Sequence, residues 1–598
     1  MYILGISCFY HDSAAALLKD GELITTVQEE RFSRIKNDGA FPKQAIAYCL
    51  ETAKITAKEL DYVVFYEKPL KKFDRLLRTI LNYYPKTLNL FCKSMISMMR
   101  EKIWIKYIIH EELGIALDKI LFTDHHESHA AAAFYASPFE DSAILTIDGV
   151  GEWTTAAIGI GHSVWSEKSN DKNYIKLHKE LQFPISLGLL YSVITAYLGF
   201  EVNEGEYKVM GMAPYGKPKY VDKIKQMLKI KEDGSFIINE QYLKYHYHTT
   251  DSYSDKLVEL FGLPPRNRKA RFVTKQTSLY DDKRPATEEE MELNQKYADI
   301  AASIQCVTEE ILLKMAKYAY DETKQKNLCL SGGVALNSVA NFKILKQLPF
   351  DNVYIQPAAG DAGGALGAAL FAYHSLLNKP RKFIMEHCYW GKKYSDAEIE
   401  EFLTFNNIKY EKITDDEKLF DRVTDLLISG KVIGWFQNEF EWGPRALGNR
   451  SILGDPRRED MKDIINIKIK FREPFRPFAP SVLEERAEEF FEFDGVSKQY
   501  PPRFMLMVCP VRKDKHSVLP AITHIDGSGR LQTVVKKYNP RYYRLIERFG
   551  EKTGVPVVLN TSFNLKGEPI VNTPANAYST FSNSGLDALV LQNYIILK

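Results

Sequence analysis

Ser142-Ala143-Ile144-Leu145-Thr146-Ile147-Asp148-Gly149-Val150-Gly151 decides how the first two thirds of the chain is read. Six residues of mostly apolar, β-forming character end in an aspartate and a glycine-rich turn, and Trp153 to Gly159 reads as the returning strand. The amino terminus has the same grammar. Ile3 to Phe9, Ser13 to Leu18 and Leu23 to Gln28 read as a three-stranded meander, with Lys19-Asp20-Gly21-Glu22 as a hairpin turn. Two such openings in one chain predict a duplicated α/β domain. A strand, glycine-rich turn and helix then recur twice. Asn327 to Leu330 runs into Ser331-Gly332-Gly333-Val334-Ala335 with a helix starting near Asn337, and Asn352 to Gln356 runs into Ala359-Gly360-Asp361-Ala362-Gly363-Gly364. Asn294 to Asp321 carries apolar residues at helical spacing.

Composition fits that picture. The 598 residues hold 79 Lys and Arg against 77 Asp and Glu, a net charge of +2 that excludes a general polyanion binder. With 45% hydrophobic and 26% charged residues the chain is globular, and its length accommodates two large lobes. The composition changes near Asn378 to Lys393. A first lobe is therefore placed at 1–380, with helical insertions near 61–111 and 244–290, and a second at 395–598; the turn-rich, basic stretch 264–285 reads as a surface insertion. Seven scattered cysteines without a C-x-x-C spacing suggest neither a disulfide framework nor a thiolate zinc site, and fit a reducing cytoplasm. No signal peptide is expected. Leu88 to Ile109 is broken by Lys93, Arg100, Glu101, Lys102 and Lys106, so an amphipathic helix is expected there and no membrane span. Upstream, Lys71, Lys72, Arg75 and Arg78 interleave with Phe73, Leu76, Leu77 and Ile80, a pattern shared by membrane-surface helices and by core-packed helices with a solvated basic face.

The sharpest local cluster is Asp124-His125-His126-Glu127-Ser128-His129. His125 and His129 are four apart, so on a helix both imidazoles leave one face and can share a cation; a satisfied core pair has the same spacing. The zinc-protease H-E-x-x-H pattern is not met. Asp148 and Asp361 each follow a strand in a glycine-rich turn, where α/β folds place ligand chemistry, although either could simply stabilise its turn. Two imidazoles and two carboxylates suit iron or another divalent metal such as zinc. Gly332, Gly333 and Asn337 form a strand-to-helix turn able to admit a nucleotide, without the spacing of a dinucleotide-binding fold or a P-loop, which points to an actin-like, sugar-kinase-like ATPase lobe. In the second lobe, Trp442 to Ser451 brings Arg445, and Lys468, Lys470, Arg472 and Arg476 follow on a Pro- and aromatic-rich backbone. Such cations recognise phosphate or carboxylate oxygens. Arg530 and Asn560 lie at strand ends farther on.

Phe9-Tyr10-His11-Asp12-Ser13-Ala14-Ala15, Gln28 to Arg34, His125 to Ala133, Glu204 to Gly211, Gly443 to Ser451, Phe471 to Pro480 and Asn560 to Asn564 together resemble the O-carbamoyltransferases of the NodU/CmcH type, which act in nodulation-factor, cephamycin, novobiocin and tobramycin pathways. The resemblance runs nearly end to end. It implies a YrdC-like α+β second lobe in which carbamoyl phosphate and ATP, accompanied by Mg, give carbamoyl-adenylate and pyrophosphate. It also implies an actin-like first lobe where a metal, iron in the family, holds the adenylate while an acceptor hydroxyl attacks. Carried over residue by residue, His125, Asp148 and Asp361 are metal ligands with His129 as a fourth or outer partner. Arg445, Lys470, Arg476, Arg530 and Asn560 bind carbamoyl phosphate and ATP, His11 is the acceptor-site base, and Lys36 contacts the acceptor. Asn449 stands where relatives often have His. The implied partner is a small hydroxyl-bearing acceptor (sugar, polyol or natural product) and not a nucleic acid; an oligomer is compatible. Two other readings are a tRNA threonylcarbamoyl transferase, whose separate components resemble these lobes, and a non-catalytic actin-like ATP-binding protein. Fusion in one chain, His11-Asp12 and Lys36 favour the small acceptor.

Overall fold

The computed structural model describes residues 1–166, 171–276, 286–473 and 475–598, with Lys468 described by its backbone alone. Part of the 264–285 insertion, Pro474 and the Lys468 side chain therefore lie outside the described residues. The chain forms two compact units: Met1–Glu29, Asp38–Ala270 and Gln295–Met385 in the first, and Glu30–Asn37, Arg271–Asn294 and Glu386–Lys598 in the second. Two short stretches from within the span 1–380 thus count with the second unit.

In the first unit, β1 (Tyr2–Ser7), β2 (Ala14–Lys19), β3 (Glu22–Gln28), β4 (Tyr62–Phe65) and β5 (Ile120–Phe122) form a sheet in the order β3-β2-β1-β4-β5. Next come β6 (Asp141–Ile147), β7 (Thr154–His162), β8 (Tyr174–Gln182), the small hairpin β9 (Leu228–Ile230) and β10 (Phe236–Ile238), then β11 (Asn327–Ser331) and β12 (Asn352–Ile355). The second sheet has the order β12-β11-β6-β7-β8. In both sheets the first three strands form an antiparallel meander, and the fourth and fifth join parallel to the first. The second sheet therefore repeats the first strand for strand, which is the duplication the two openings predict. Asp20 and Gly21 both have positive φ, 51° and 88°, the twist a two-residue hairpin needs. Asn294–Asp321 lies within the helix Glu288–Thr323, and Asn337 caps the helix Ser338–Gln347.

The helix Ala362–Phe371 is buried at all ten residues and packs against β1, β2 and the helix His125–Phe134. Its small residues make this approach possible: a Cβ on Gly367 would overlap the Ser128 carbonyl and lie 3.0 Å from the Ala132 Cβ. The packing carries Asp361, at the helix start, to the histidine helix. Between β4 and β5 the chain forms the helices Pro69–Asn82, Leu88–Arg100 and Ile105–Leu113. Among the described residues no helix is long and apolar enough to cross a membrane.

The second unit is built on nine strands: β13 (Glu411–Lys412), β14 (Ile433–Phe436), β15 (Arg450–Gly454), β16 (Ala479–Leu483), β17 (Met507–Pro510), β18 (Ser528–Val534), β19 (Val557–Ser562), β20 (Ala588–Leu591) and β21 (Tyr594–Leu597). Their order is β13-β21-β20-β14-β15-β19-β16-β18-β17. Side chains alternate along a strand, so Val534, Gln532 and Arg530 of β18 share a face, as do Val558, Asn560 and Ser562 of β19. Val534 and Val558 belong to the apolar core with Trp435, Leu453 and Leu545 of the helix Pro540–Thr553. One sheet face thus passes from an apolar, helix-covered end to a polar end.

Candidate metal centre and cationic pocket

The first cluster starts from a helix N-terminus. Asp124 caps the helix His125–Phe134, and a capping box links it to Glu127. Lys68 and Lys71 each place Nζ 2.6 Å from an Asp124 oxygen, and Glu152 accepts the His125 backbone N–H at 3.1 Å and that of Lys68 at 2.7 Å. One helical turn then aligns His125 and His129, while Asp148 comes from the end of β6 and Asp361 from the turn after β12.

Nε2 of His125 and of His129 lie 3.1 Å apart. His125 Nε2 is 3.2 Å from Asp148 Oδ2 and 3.7 Å from Asp361 Oδ1, and His129 Nε2 is 4.0 and 3.7 Å from the same two oxygens. One atom from each of the four buried side chains lies within 4.8 Å of all the others. Two ring nitrogens that face each other at this distance leave at most one N–H between them, and two carboxylate oxygens converge on the same point. This donor set fits a divalent metal of the iron or zinc kind. Burial opposes the His125 cation, but the Asp148 hydrogen bond and the Asp361, Asp148 and Glu152 charges outweigh it and push the pKa up to about 9. Burial, and then the neighbouring His125 and His129, push His126 down to about 3; it turns to Thr146 Oγ1, 2.7 Å away, outside the cluster.

His11, from the β1–β2 connection, sits 3.9 Å from Asp361 Oδ2 and 2.9 Å from Asp12 Oδ2. Its surroundings move its pKa away from the ordinary imidazole value. Burial would lower it, yet the Asp361 charge and the Asp12 hydrogen bond raise it to about 9. The Gly332, Gly333 and Asn337 turn is engaged within the unit: the Gly333 N–H donates to Asp148 Oδ1 at 2.8 Å, the Gly332 N–H to the Ala359 carbonyl at 2.8 Å, and Asn337 Nδ2 to Gln305 Oε1 at 3.1 Å. Gly332 has φ 91°, and a Cβ there would overlap the Ile147 carbonyl. This turn orients a carboxylate of the cluster.

The polar end of the second unit's sheet gathers most of the cations expected there. Asn560 Nδ2 donates to Gln532 Oε1 at 2.8 Å, to the Ala446 carbonyl at 3.1 Å and to Ser481 Oγ at 3.2 Å, so the loop carrying Arg445 is tied to β16, β18 and β19. Nδ2 of Asn560 is thereby committed, and its buried Oδ1, an acceptor, is the atom left over among the described residues. Lys470 is buried and donates to Ser562, to the Asn564 carbonyl and to Asn564 Oδ1, the last two at 2.9 Å. Burial, together with Arg472 and Arg476, holds its pKa well below the usual lysine range. Arg476 Nη1 is 3.3 Å from Glu473 Oε2. Arg530 shares the face of Gln532. The segment Glu30–Asn37, with the half-buried Lys36, is held in this unit by Arg34, which donates to the Ile570 and Pro569 carbonyls at 2.6 and 2.8 Å, and by Arg31, which donates to the Gly443 carbonyl at 2.7 Å.

Sequence reasoning missed the residues that hold the Arg445 loop. One oxygen of the buried Glu441 accepts backbone N–H groups from Leu447, Asn449 and Arg450 at 2.8, 2.8 and 3.2 Å. Arg450 is fully buried over the Phe436 ring, 3.6 Å from its centroid, and donates to the carbonyls of Gln437, Asn449, Lys392 and Asn438. A carboxylate two residues before Gly443 was the visible sign of the first. Glu152, four residues past Asp148, was the comparable sign in the first unit.

Residues 2–370 match the family profile described as Carbamoyltransferase N-terminus, and residues 424–598 match Carbamoyltransferase C-terminus. The chain is 46% identical to a Synechocystis protein described as uncharacterized, covering 100% of this chain and 97% of that one. It is 37% identical to the nodulation protein NolNO of Sinorhizobium fredii, over 99% of this chain and 79% of the relative. It is also 33% identical to the 3'-hydroxymethylcephem-O-carbamoyltransferase of Amycolatopsis lactamdurans, over 49% of this chain and 52% of that enzyme.

Proposed function

The chain belongs to the carbamoyltransferase family, and from that premise we propose that it is an ATP-dependent O-carbamoyltransferase working in two steps. In the second unit, read as YrdC-like, carbamoyl phosphate is hydrolysed to carbamate and phosphate. A carbamate oxygen attacks the α-phosphorus of ATP, and pyrophosphate leaves. Arg445, Arg476 and Arg530 offset the phosphate charge, and Lys470, bound to Ser562 and Asn564, holds the turn beside them in place. Asn560 Oδ1 accepts an N–H from the carbamoyl group.

In the first unit, read as actin-like, an acceptor hydroxyl attacks the carbamoyl carbon and AMP departs. A divalent cation held by His125, His129, Asp148 and Asp361 would act there as a Lewis acid. His11 takes the hydroxyl proton; the Asp361 charge that raises its pKa is shared with the cluster, so its basicity depends on how Asp361 is engaged. The acceptor is a small hydroxyl compound that gains roughly 43 mass units on carbamoylation.

The convergence of four metal-ligating side chains, in a chain that matches both halves of the family, carries this reading. The test separates the two steps. Arg445→Ala should abolish pyrophosphate release that depends on carbamoyl phosphate. His125→Ala should keep that release and lose bound metal by elemental analysis, together with transfer. Unchanged pyrophosphate release in Arg445→Ala would remove the assignment of the second unit, and undiminished metal content in His125→Ala that of the first.

A further inference from the structure

The excursion between β4 and β5 carries a surface that neither step uses. Among the described residues, 23 large hydrophobic side chains are exposed, and nine of them fall between Leu70 and Tyr107. They are concentrated on the helix Leu88–Arg100, in which Met98 alone is buried. At 100° per residue, Leu88, Cys92, Ile96 and Met99 fall within an arc of about 80°, and Lys93 and Arg100 lie on its edge, roughly 40–60° beyond Ile96. Leu88, Ile96 and Met99 are each close to 60% exposed. After this helix, Trp104 and Tyr107 are also exposed and meet ring to ring at 6.1 Å. An apolar stripe open to solvent and edged by cations is the geometry of a helix lying in a membrane interface.

Charge selects the occupant. From Tyr83 to Tyr107 there are five Lys and Arg against one acidic residue, Glu101, a surplus of four in a chain whose whole surplus is two. Upstream, Lys68 and Lys71 share an ion pair with Asp124, and Lys72 pairs with Glu67. Lys86, Lys93, Arg100 and Lys106 have no carboxylate within 4 Å among the described residues. A second copy of the same face would bring like charges together, which disfavours self-association there. An anionic lipid surface satisfies the stripe and its cationic edge together.

We propose that the helix Leu88–Arg100, with Trp104 and Tyr107, attaches this protein peripherally to anionic membrane surfaces. The stripe enters the headgroup boundary, the aromatic pair sits at the same depth, and Lys93 and Arg100 extend toward lipid phosphates.

Sedimentation of the full-length protein with vesicles of phosphatidylcholine, alone or with about one third phosphatidylglycerol, tests this. Binding is expected with the anionic vesicles, weak binding with the neutral ones, and a marked loss in high salt. Lys93→Glu with Arg100→Glu should weaken binding at least about tenfold, as should Leu88→Ser with Met99→Ser. All four side chains are exposed, so both variants should keep the parent unfolding temperature. Absence of binding to anionic vesicles, equal binding to both vesicle types, or binding unchanged in both variants would overturn the proposal. So would a stable oligomer that the same substitutions dissociate, because the patch would then be covered by another copy.

Discussion

Replacing Glu441 by alanine removes one buried carboxylate and strands three backbone donors. One of its two oxygens receives the N–H groups of Leu447, Asn449 and Arg450, which pins the loop that presents Arg445. Hydrogen bonds to a charged group contribute about 1.5–3 kcal/mol each. The three share one acceptor and are not independent, so a total loss of about 3–5 kcal/mol is expected. For a unit of this size that lowers the unfolding temperature by roughly 10 °C. The loop is also released, so pyrophosphate formation from ATP and carbamoyl phosphate should fall by about a hundredfold or more, in line with a misplaced electrostatic group. Glu441→Gln keeps a carbonyl acceptor in place and should lose less than half of that stability. Calorimetry and a pyrophosphate assay on the two variants give the comparison. If Glu441→Ala unfolds at the parent temperature and still releases pyrophosphate at the parent rate, the loop is held by something else.

Two further outcomes follow from the first unit. Gly367→Ala sets a Cβ against the Ser128 carbonyl, so the two helices must part; a loss of about 3 kcal/mol or more by chemical denaturation is expected, along with weaker metal retention, and parent-like stability would refute the close packing. His374 is kept neutral by burial, with its pKa pushed down to about 3 and Nδ1 2.9 Å from the Lys379 carbonyl. Its folded pKa lies below its unfolded value, so the unfolded state binds the extra proton and stability falls as pH drops below about 6.5, by about 2 kcal/mol at pH 5 from this group. His374→Gln should flatten that acid limb, and an unchanged pH profile would exclude the contribution.

The strands were legible because their signal is local. An apolar run such as Ser142 to Ile147, an Asp20-Gly21 turn or an aspartate before glycines reports its own conformation with no help from distant residues. The His125 and His129 pair was legible for the same reason, since helical spacing alone puts both rings on one face. The supports were not. Glu441 and Glu152 have their meaning only through donors brought to them by folding, and nothing in the residues around Gly333 says that its N–H meets Asp148, 185 positions away. The stretch Glu30–Asn37 follows β3 directly along the chain, yet Arg31 and Arg34 find their acceptors at Gly443, Pro569 and Ile570.

By itself, then, the sequence determined the repeated strand grammar, the residue types able to hold a cation or a phosphate, and the family, because each resides in short stretches whose chemistry is set by neighbours along the chain. Tertiary structure decided which of those residues act together. Asp361 reaches the histidines only because Gly367 lets two helices touch, and His11 acquires its raised pKa only because that packing leaves it beside Asp361. Charge and hydrogen bonding act over a few ångströms, and distances of that order between remote residues are set by packing alone.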